Sequence, residues 1–224
     1  MTPRISAFGD SALMVELGDV FDESVAAWAR TLAQLWDFGP AVPAYTSVVV
    51  SFDPDHVDAE IAERKLHDLV DRGPMYKYEA APNAPHAIRT RLVEIPTRYD
   101  GPDLDDVAKS SGMSRDELVR VHSEREYSAI FLGFLPGWAY CARLDPRIVA
   151  TRLPSPRPRV PAGSVAVVDG QTGVYPYDSP GGWRLIGSTD AVMFDPDRNP
   201  ASAACSEMGI SSLMGTIQCA MNQQ

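Results

Sequence analysis

Short runs in which apolar and polar residues alternate mark the first strands of the chain. Two such runs lie within residues 4–17, on either side of Gly9, and a third extends from Tyr45 to Phe52 through three consecutive valines. A period of two is typical of half-buried strands, and glycine between two runs favours a hairpin turn. A further run predicts a strand over residues 88–95.

Apolar residues at helical spacing separate these strands. One such stretch predicts a helix over residues 21–35, and a second predicts a helix that begins near Asp53, its expected N-cap, and ends near Val70. The predicted order of elements is strand, strand, helix, strand, helix and strand. This order indicates an α+β N-terminal domain, with helices on one face of a mainly antiparallel sheet.

A Pro- and Ala-rich stretch without periodicity, residues 78–86, predicts a linker or crossing segment. Two short helices are expected after it. Asp103 is the expected N-cap of the first, and Ser114 with Glu117 forms a capping-box pattern at the start of the second.

From Tyr127 onward the pattern changes to short apolar segments punctuated by glycine and proline, which is typical of an all-β barrel or folded sheet. We therefore predict two domains, an α+β domain over residues 1–85 and a β-barrel domain over residues 86–200. Residues 201–224 contain one charged side chain and no alternating strand pattern, so they form an atypical tail.

Composition excludes several classes of protein. Apolar residues make up 45% of the 224 residues, and no apolar run is long enough to cross a membrane. Nothing at the N-terminus resembles a secretory signal, so a cytoplasmic protein is expected. The net charge of −10 opposes binding to nucleic acid. The three cysteines lack paired spacing, so we expect neither a disulfide framework nor a metal site.

Most of the candidate functional residues lie between Phe131 and Asp190. This stretch holds half of the chain's glycines, eight of its nineteen prolines, six arginines and no lysine. Glycine and proline at this density predict rigid loops between short strands. An excess of arginine on such loops suits a small anionic ligand, because a guanidinium held by prolines presents a planar fork to a carboxylate or phosphate.

Four loops supply the candidate site residues. They are the candidate amide nest at Gly133 and Gly137, the proline-braced run with Arg159 and Ser164, the hairpin with Gln171 and Tyr175, and the Gly181-Gly182-Trp183 turn. Each also has a purely structural interpretation as a tight corner or surface loop. Three of these loops, those of Arg159, Gln171 and Gly181, are expected to converge on one face of the barrel.

Nucleophile motifs are weak in this chain. Ser164 lies in no Gly-x-Ser-x-Gly elbow, and Cys141 has no histidine nearby in sequence. Among the histidines, His122 is the best placed, because it closes a predicted helix just before the glycine-rich region. It could contact a ligand or act in catalysis, and it could equally interact with the dipole at the helix C-terminus.

Several long motifs in order resemble the allophanate hydrolase subunit 1 or KipI-like family, which includes the B subunit of the bacterial 5-oxoprolinase. They are the sequences GDSAL from Gly9, YDGPDL from Tyr99, GFLPGWAY from Gly133, PRPRVPAGSVAV from Pro156, GQTGVYP from Gly170 and SPGGWRLIG from Ser179. The resemblance covers most of the chain.

The resemblance implies a cyclophilin-like barrel after the α+β domain. It also implies a partner with a related barrel, which is allophanate hydrolase subunit 2 or the C subunit of 5-oxoprolinase, and a third, lactam-binding protein. This assembly is associated with ATP-dependent opening of 5-oxoproline to glutamate, although older labels of the family imply hydrolysis of allophanate or a related amide. ATP would be a co-substrate of the complex, on this or another subunit, and no metal or organic cofactor is evident in this chain.

Two other functions are compatible with the sequence. The KipI branch is described as an inhibitor of a sensor histidine kinase, in which case exposed Trp138 and Trp183 would anchor a protein partner. The chain could also be a scaffold that only holds subunit 2. If it is an enzyme subunit, we expect Arg159, Gln171, Tyr175 and His122 to take part in catalysis. Gly133, Gly137, Ser164, Gly181, Gly182 and Trp183 would then bind substrate.

Overall fold

The computed structural model describes residues 3–18, 23–73, 91–197 and 217–220. The chain divides into two units, Met1–Ala87 and Ile88–Gln224. Unit 1 contains β1 (Arg4–Ala7), β2 (Ala12–Glu16), α1 (Glu23–Leu35), β3 (Ala41–Ala44), β4 (Ser47–Ser51) and α2 (Ala59–Asp71). Unit 2 contains β5 (Arg91–Glu94), α3 (Leu104–Ser110), α4 (Arg115–Ser123), β6 (Glu126–Leu132), β7 (Ala139–Ala142), β8 (Arg157–Val160), β9 (Ser164–Val168), β10 (Gln171–Val174), β11 (Ser179–Gly181), β12 (Arg184–Ser188) and β13 (Ile217–Ala220).

Unit 1 is an antiparallel sheet in the order β1-β2-β4-β3, with both helices packed on one face. Leu13 pairs with Val50 and Val15 with Val48, and all four are buried against the helices. The predicted hairpin is confirmed, and Gly9 adopts the positive φ that its turn requires. Strand β3 has no counterpart in the sequence prediction. It contains a proline, which an edge strand tolerates because one side of it needs no ladder hydrogen bonds.

The second helix begins later than the sequence suggested. Asp58 is the N-cap of α2, and its carboxylate accepts a hydrogen bond from the amide of Glu60. The prediction of Asp53 as the cap was wrong, because the Asp53 carboxylate accepts from the amide of Asp55 and forms a separate turn before the helix.

Unit 2 contains a seven-stranded sheet in the order β12-β9-β10-β7-β6-β13-β5 and a two-stranded ribbon of β11 and β8. Helices α3 and α4 pack on the sheet. The Ser114 cap of α4 is confirmed, since its hydroxyl accepts from the amide of Glu117. Asp103 precedes α3, but its side chain makes no cap hydrogen bond, because it binds Arg157 and the amide of Leu185 instead.

The chain is therefore a mixed α and β protein in which strands predominate. Four residues of the predicted atypical tail form β13, which lies antiparallel to β6 and parallel to β5. The sequence prediction contained no strand here, because the pairing of these residues with β5 and β6 joins segments that lie far apart in the chain. The predicted linker, residues 78–86, and the predicted boundaries at 85 and 200 lie outside the described residues.

Candidate functional site

The central strands of unit 2 are buried on both faces. All five residues of β9 are buried, and alternate ones enter different cores. Val165 and Val167 face the helices, whereas Ala166 and Val168 face a second core that contains several aromatic rings. We call Trp138, Tyr140, Tyr175 and Trp183 the aromatic cluster. Three of the four predicted loops contribute to it, and the ribbon of β8 and β11 packs against it through Val160.

Trp138 lies at the centre of the aromatic cluster. Its ring centroid is 4.7 Å from that of Tyr175, 5.0 Å from that of Trp183 and 5.6 Å from that of Tyr140, all near edge-to-face. Trp138 is 1% exposed and Trp183 is 4% exposed. The prediction of two exposed tryptophan anchors was therefore wrong, because these rings fill the core beneath the glycine-rich loops.

On the side of the sheet that carries the aromatic cluster, two polar atoms are buried without a hydrogen-bond partner among the described residues. They are the indole Nε1 of Trp138 and the hydroxyl oxygen of Ser179. Ser179 pairs directly with Val160, so the two side chains share the face that carries the aromatic cluster. A buried donor without a partner is costly, and such a group often marks a place where a ligand or water is bound.

Tyr175 and the glycine pair are brought together as the sequence suggested. The hydroxyl of Tyr175 lies against the α-carbon of Gly181, at a distance that no β-carbon would allow. The backbone N–H of Trp183 donates to this hydroxyl, while burial raises the pKa of Tyr175 above its ordinary value. Gly182 contacts the side chain of Arg152. The glycines therefore let a loop close over the Tyr175 ring.

The loop between β6 and β7 is tightly folded. The amide of Gly133 donates to the carbonyl of Trp138, so this predicted nest amide already has an acceptor. Gly137 has a positive φ and packs so closely on Phe194 that a β-carbon would lie 2.6 Å from the Phe194 β-carbon. Phe134 has a φ of 69°, which is uncommon for a bulky residue, and its side chain is exposed.

The ribbon of β8 and β11 carries two arginines, and each has a carboxylate partner. Arg157 is half-buried and binds Asp103, with its Nη2 2.7 Å from Oδ1. Arg159 is exposed and donates from Nε to Asp178 Oδ2 at 2.8 Å. Asp178 also accepts from the amide of Ala162, and these two donors lower the pKa of its carboxyl. A ligand can therefore bind Arg159 in only two ways. It either binds beside Asp178 while the ion pair stays intact, or it displaces Asp178 from the guanidinium.

Gln171 and Ser164 are buried at the two ends of the same hairpin. Gln171 begins β10 opposite Val168, and strand alternation places it on the face of Gly173 and Tyr175. Ser164 begins β9, and its hydroxyl donates to the carbonyl of Pro161 at 2.7 Å. Ser164 therefore braces the loop after the ribbon.

His122 lies on the opposite face of the sheet and has no exposed surface. Its Nδ1 is 2.8 Å from the hydroxyl of Tyr99, and its Nε2 is 3.1 Å from the hydroxyl of Thr172. Burial lowers the pKa of His122 to about 3, so the ring is neutral at physiological pH. The structure therefore does not bring His122 together with the other candidate residues.

Arg152 is a residue that the sequence analysis missed. It precedes the ribbon and contacts Gly182 beside the aromatic cluster. Its sequence context offers no signal, because it stands in an ordinary loop between two prolines at positions 146 and 154. No group of histidine, cysteine, aspartate or glutamate within the described ranges could hold a metal ion.

Comparison with known proteins identifies the family. Residues 3–204 match the family described as carboxyltransferase domain, subdomain C and D. The chain belongs to this family. Two relatives, each named as the B subunit of 5-oxoprolinase, are similar to it. The one from Bacillus subtilis is 37% identical over 213 residues, which cover 88% of this chain and 86% of the relative. The one from Escherichia coli O157:H7 is 47% identical over 203 residues, with 88% of each covered.

One solved structure is similar to nearly the whole chain. The crystal structure of TTHA0988 matches with a TM-score of 0.74 and 32% identity over 95% of this chain. The chain spans only 40% of the length of TTHA0988. The family resemblance that the motifs indicated is thus confirmed. In the part of the chain that the structure describes, no helix has the length and apolar character to cross a membrane.

Proposed function

We propose that this chain is the B subunit of an ATP-dependent 5-oxoprolinase, an enzyme complex that opens the lactam ring of 5-oxoproline to glutamate. The observation that carries this function is identity of 37% and 47% to two proteins that bear this subunit name, each along nearly nine tenths of this chain. The loops of unit 2 are compatible with it, because they bring the Tyr175 hydroxyl, the glycine pair and the Arg152 side chain close to one another.

Unit 2 is, in this proposal, a cyclophilin-like barrel that follows an α+β domain. A seven-stranded sheet whose central strands are buried on both faces supports this architecture. The barrel presents its glycine-rich loops and the ribbon on one side, where they surround the aromatic cluster.

The chemistry explains why ATP is required. An unstrained lactam is a stable amide, so its hydrolysis needs coupling to a favourable reaction. Transfer of the γ-phosphoryl group of ATP to the lactam oxygen makes the lactam carbon a better electrophile. Attack of one water on that carbon and cleavage of the C–N bond give an acyl phosphate, and a second water hydrolyses it to glutamate and phosphate. No residue of this chain is assigned to ATP itself.

The residues of unit 2 have roles that fit this reaction. Arg159, once released from Asp178, neutralises charge on the reacting oxygen, and the amide of Gly137 supports it. Gln171 and Tyr175 orient the ring. Gly181 and Gly182 allow the ligand to approach the loop that ends at Trp183.

Other predicted residues act through their neighbours. Ser164 and Gly133 hold the loops in place through their hydrogen bonds. His122 is a positioning residue, because it ties α4 to β10 from the far face through Thr172.

We also propose that the chain works with the C subunit of 5-oxoprolinase and a third, lactam-binding protein. Phe134, Tyr177 and Val192 have exposed apolar side chains. The loops that carry them are close together, because Gly137 and Tyr177 both contact Phe194. These exposed side chains support a surface for protein contact. Inhibition of a sensor histidine kinase has less support, because Trp138 and Trp183 are buried.

The test is reconstitution. The chain is produced together with the proteins encoded beside it, and glutamate and phosphate are measured with 5-oxoproline and ATP. Formation of both in equal amounts is expected, and omission of this chain should abolish it. A complex that forms but hydrolyses ATP without producing glutamate would contradict the assignment.

A further inference from the structure

Arg152 is held in place by its neighbours along the chain. The carbonyl of Thr151 accepts from Nε of Arg184 at 3.1 Å, and the amide of Leu153 donates to the carbonyl of Gly182 at 2.8 Å. These bonds fix the backbone on both sides of Arg152. The side chain then lies on Gly182, with its Cγ 3.2 Å from the place that a β-carbon of Gly182 would take. The backbone of this arginine is therefore fixed and the start of its side chain packs on Gly182, while the residue as a whole is exposed.

The guanidinium of Arg152 has no carboxylate partner among the described residues, although other arginines of unit 2 do. Arg157 binds Asp103, Arg159 binds Asp178, and Arg147 binds Asp145. An arginine whose charge is not neutralised is suited to bind an oxyanion, because its planar guanidinium can donate two parallel hydrogen bonds to a carboxylate without first giving up another partner.

The surroundings of Arg152 define the rest of the ligand. Its charge lies within electrostatic reach of the Tyr175 hydroxyl, which in turn touches Gly181. The two buried polar atoms without partners in the described structure, on Trp138 and Ser179, belong to the same side of the sheet. An anion at Arg152 would thus lie beside the loop of Gly181 and Gly182 that covers the Tyr175 ring.

We infer that Arg152 binds the carboxylate of the substrate, a small cyclic monoanion whose ring carries an amide carbonyl, and so sets the specificity for acids over uncharged lactams. This assignment rests on the proposed function, since it names the residue that would recognise 5-oxoproline by its charge. Arg159, which is already paired, is left for the reacting end of the molecule.

The experiment compares the assembled complex with variants Arg152→Gln and Arg152→Lys, and with Arg147→Gln as the matched control. Arg147 is an exposed arginine of the same unit that is bound to Asp145. Binding of 5-oxoproline, its primary amide and inorganic phosphate is measured by calorimetry without ATP, and KM and kcat are measured with ATP. Melting temperatures verify that each variant is folded, as expected for an exposed side chain.

For Arg152→Gln we expect affinity for 5-oxoproline to fall about 10- to 100-fold, as for loss of a charge-assisted contact, with the amide unaffected. KM should rise by a similar factor with kcat nearly unchanged. Arg152→Lys should keep part of the preference for the acid, and Arg147→Gln should keep all of it.

Three results would overturn the role of Arg152. They are a preference for the acid that survives Arg152→Gln, a wild-type complex that binds acid and amide equally, and tighter binding of phosphate than of 5-oxoproline. Failure of the proposed function looks different. In that case the complex forms no glutamate, while any Arg152-dependent preference for cyclic acids is still seen in calorimetry.

Discussion

The α-carbon of Gly181 lies directly against the hydroxyl oxygen of Tyr175, so that any side chain at position 181 would overlap the phenol. This contact fixes the Tyr175 ring within the aromatic cluster and brings the Gly181-Gly182-Trp183 turn over it. The same hydroxyl receives a hydrogen bond from the backbone of Trp183, so the loop is held to the ring at two points.

Gly181→Ala should therefore destabilise unit 2. The added methyl group must displace either the loop or the Tyr175 ring, which costs about 1–3 kcal/mol in a packed core. Urea unfolding measures this cost. Gly133→Ala is the matched control, because a β-carbon there meets no atom within 4 Å, and it should change stability by less than about 0.5 kcal/mol.

Tyr175→Phe tests whether overlap with the Tyr175 hydroxyl causes the loss of stability expected for Gly181→Ala. Removal of the hydroxyl relieves much of the conflict, so the double variant Gly181→Ala with Tyr175→Phe should be more stable than the sum of the single effects indicates. Additive effects would show that the methyl group disturbs something other than the phenol.

His122 should make folding stability depend on pH. Its pKa falls from 6.5 in the unfolded chain to about 3 in the folded one, because of burial. The unfolded state therefore binds the proton more readily, and folding stability is fully present above pH 6.5. Stability is lost as the pH falls from 6.5 toward 3, by about 1.4 kcal/mol for each pH unit.

His122→Gln isolates this contribution, because the carboxylates titrate alike in both proteins. We expect the variant to be less stable than wild type at about pH 7, and this difference should narrow as the pH falls to about 4. Denaturant unfolding at a series of pH values measures it. A difference that stays constant over this range would contradict a neutral buried His122.

The two ion pairs of the ribbon should differ in their contribution to stability. Asp103 is buried and holds both Arg157 and the amide of Leu185, so Asp103→Ala should cost about 3–5 kcal/mol by leaving a half-buried charge unpaired. Arg159→Ala removes an exposed pair and should cost less than about 1 kcal/mol. Equal losses in urea unfolding would contradict the burial of the first pair.

Arg159→Ala should nevertheless impair the reaction. In the proposed scheme its guanidinium stabilises charge on the reacting oxygen, so kcat of the assembled complex should fall by about 100-fold, with a smaller effect on KM. Gln171→Ala should also lower turnover. Normal turnover in both variants would remove Arg159 and Gln171 from the scheme.

Local patterns predicted much of the fold, because they act over a few residues. The hairpin at Gly9 and the cap at Ser114 follow from turn and capping chemistry alone. Asp103 does stand at the N-cap position of α3, as predicted, but its side chain makes no capping hydrogen bond because a distant arginine and strand β12 compete for its carboxylate. Such competition depends on residues that are far apart in sequence.

Only part of the candidate site could be predicted, because local patterns locate its loops but do not show how distant residues pack. Density of glycine and proline located the loops, and Tyr175 does meet Gly181 next to Trp183. The sequence could not show that Trp138 is buried, since its burial depends on which strands pair. It also could not single out Arg152, because the packing of this residue on Gly182 joins two loops that are separate in the sequence.

Reconstitution with labelled substrate tests whether this chain is needed for ATP-dependent opening of the lactam ring. The complex that contains this chain is incubated with ATP and 5-oxo-L-proline that carries oxygen-18 in its lactam carbonyl, and glutamate and phosphate are analysed by mass spectrometry. We expect glutamate to form only when this chain is present, and we expect the label in phosphate, because the lactam oxygen takes the phosphoryl group and leaves with it when water attacks the acyl carbon. The absence of ATP-dependent glutamate formation by a correctly assembled complex would contradict the proposed role of this chain.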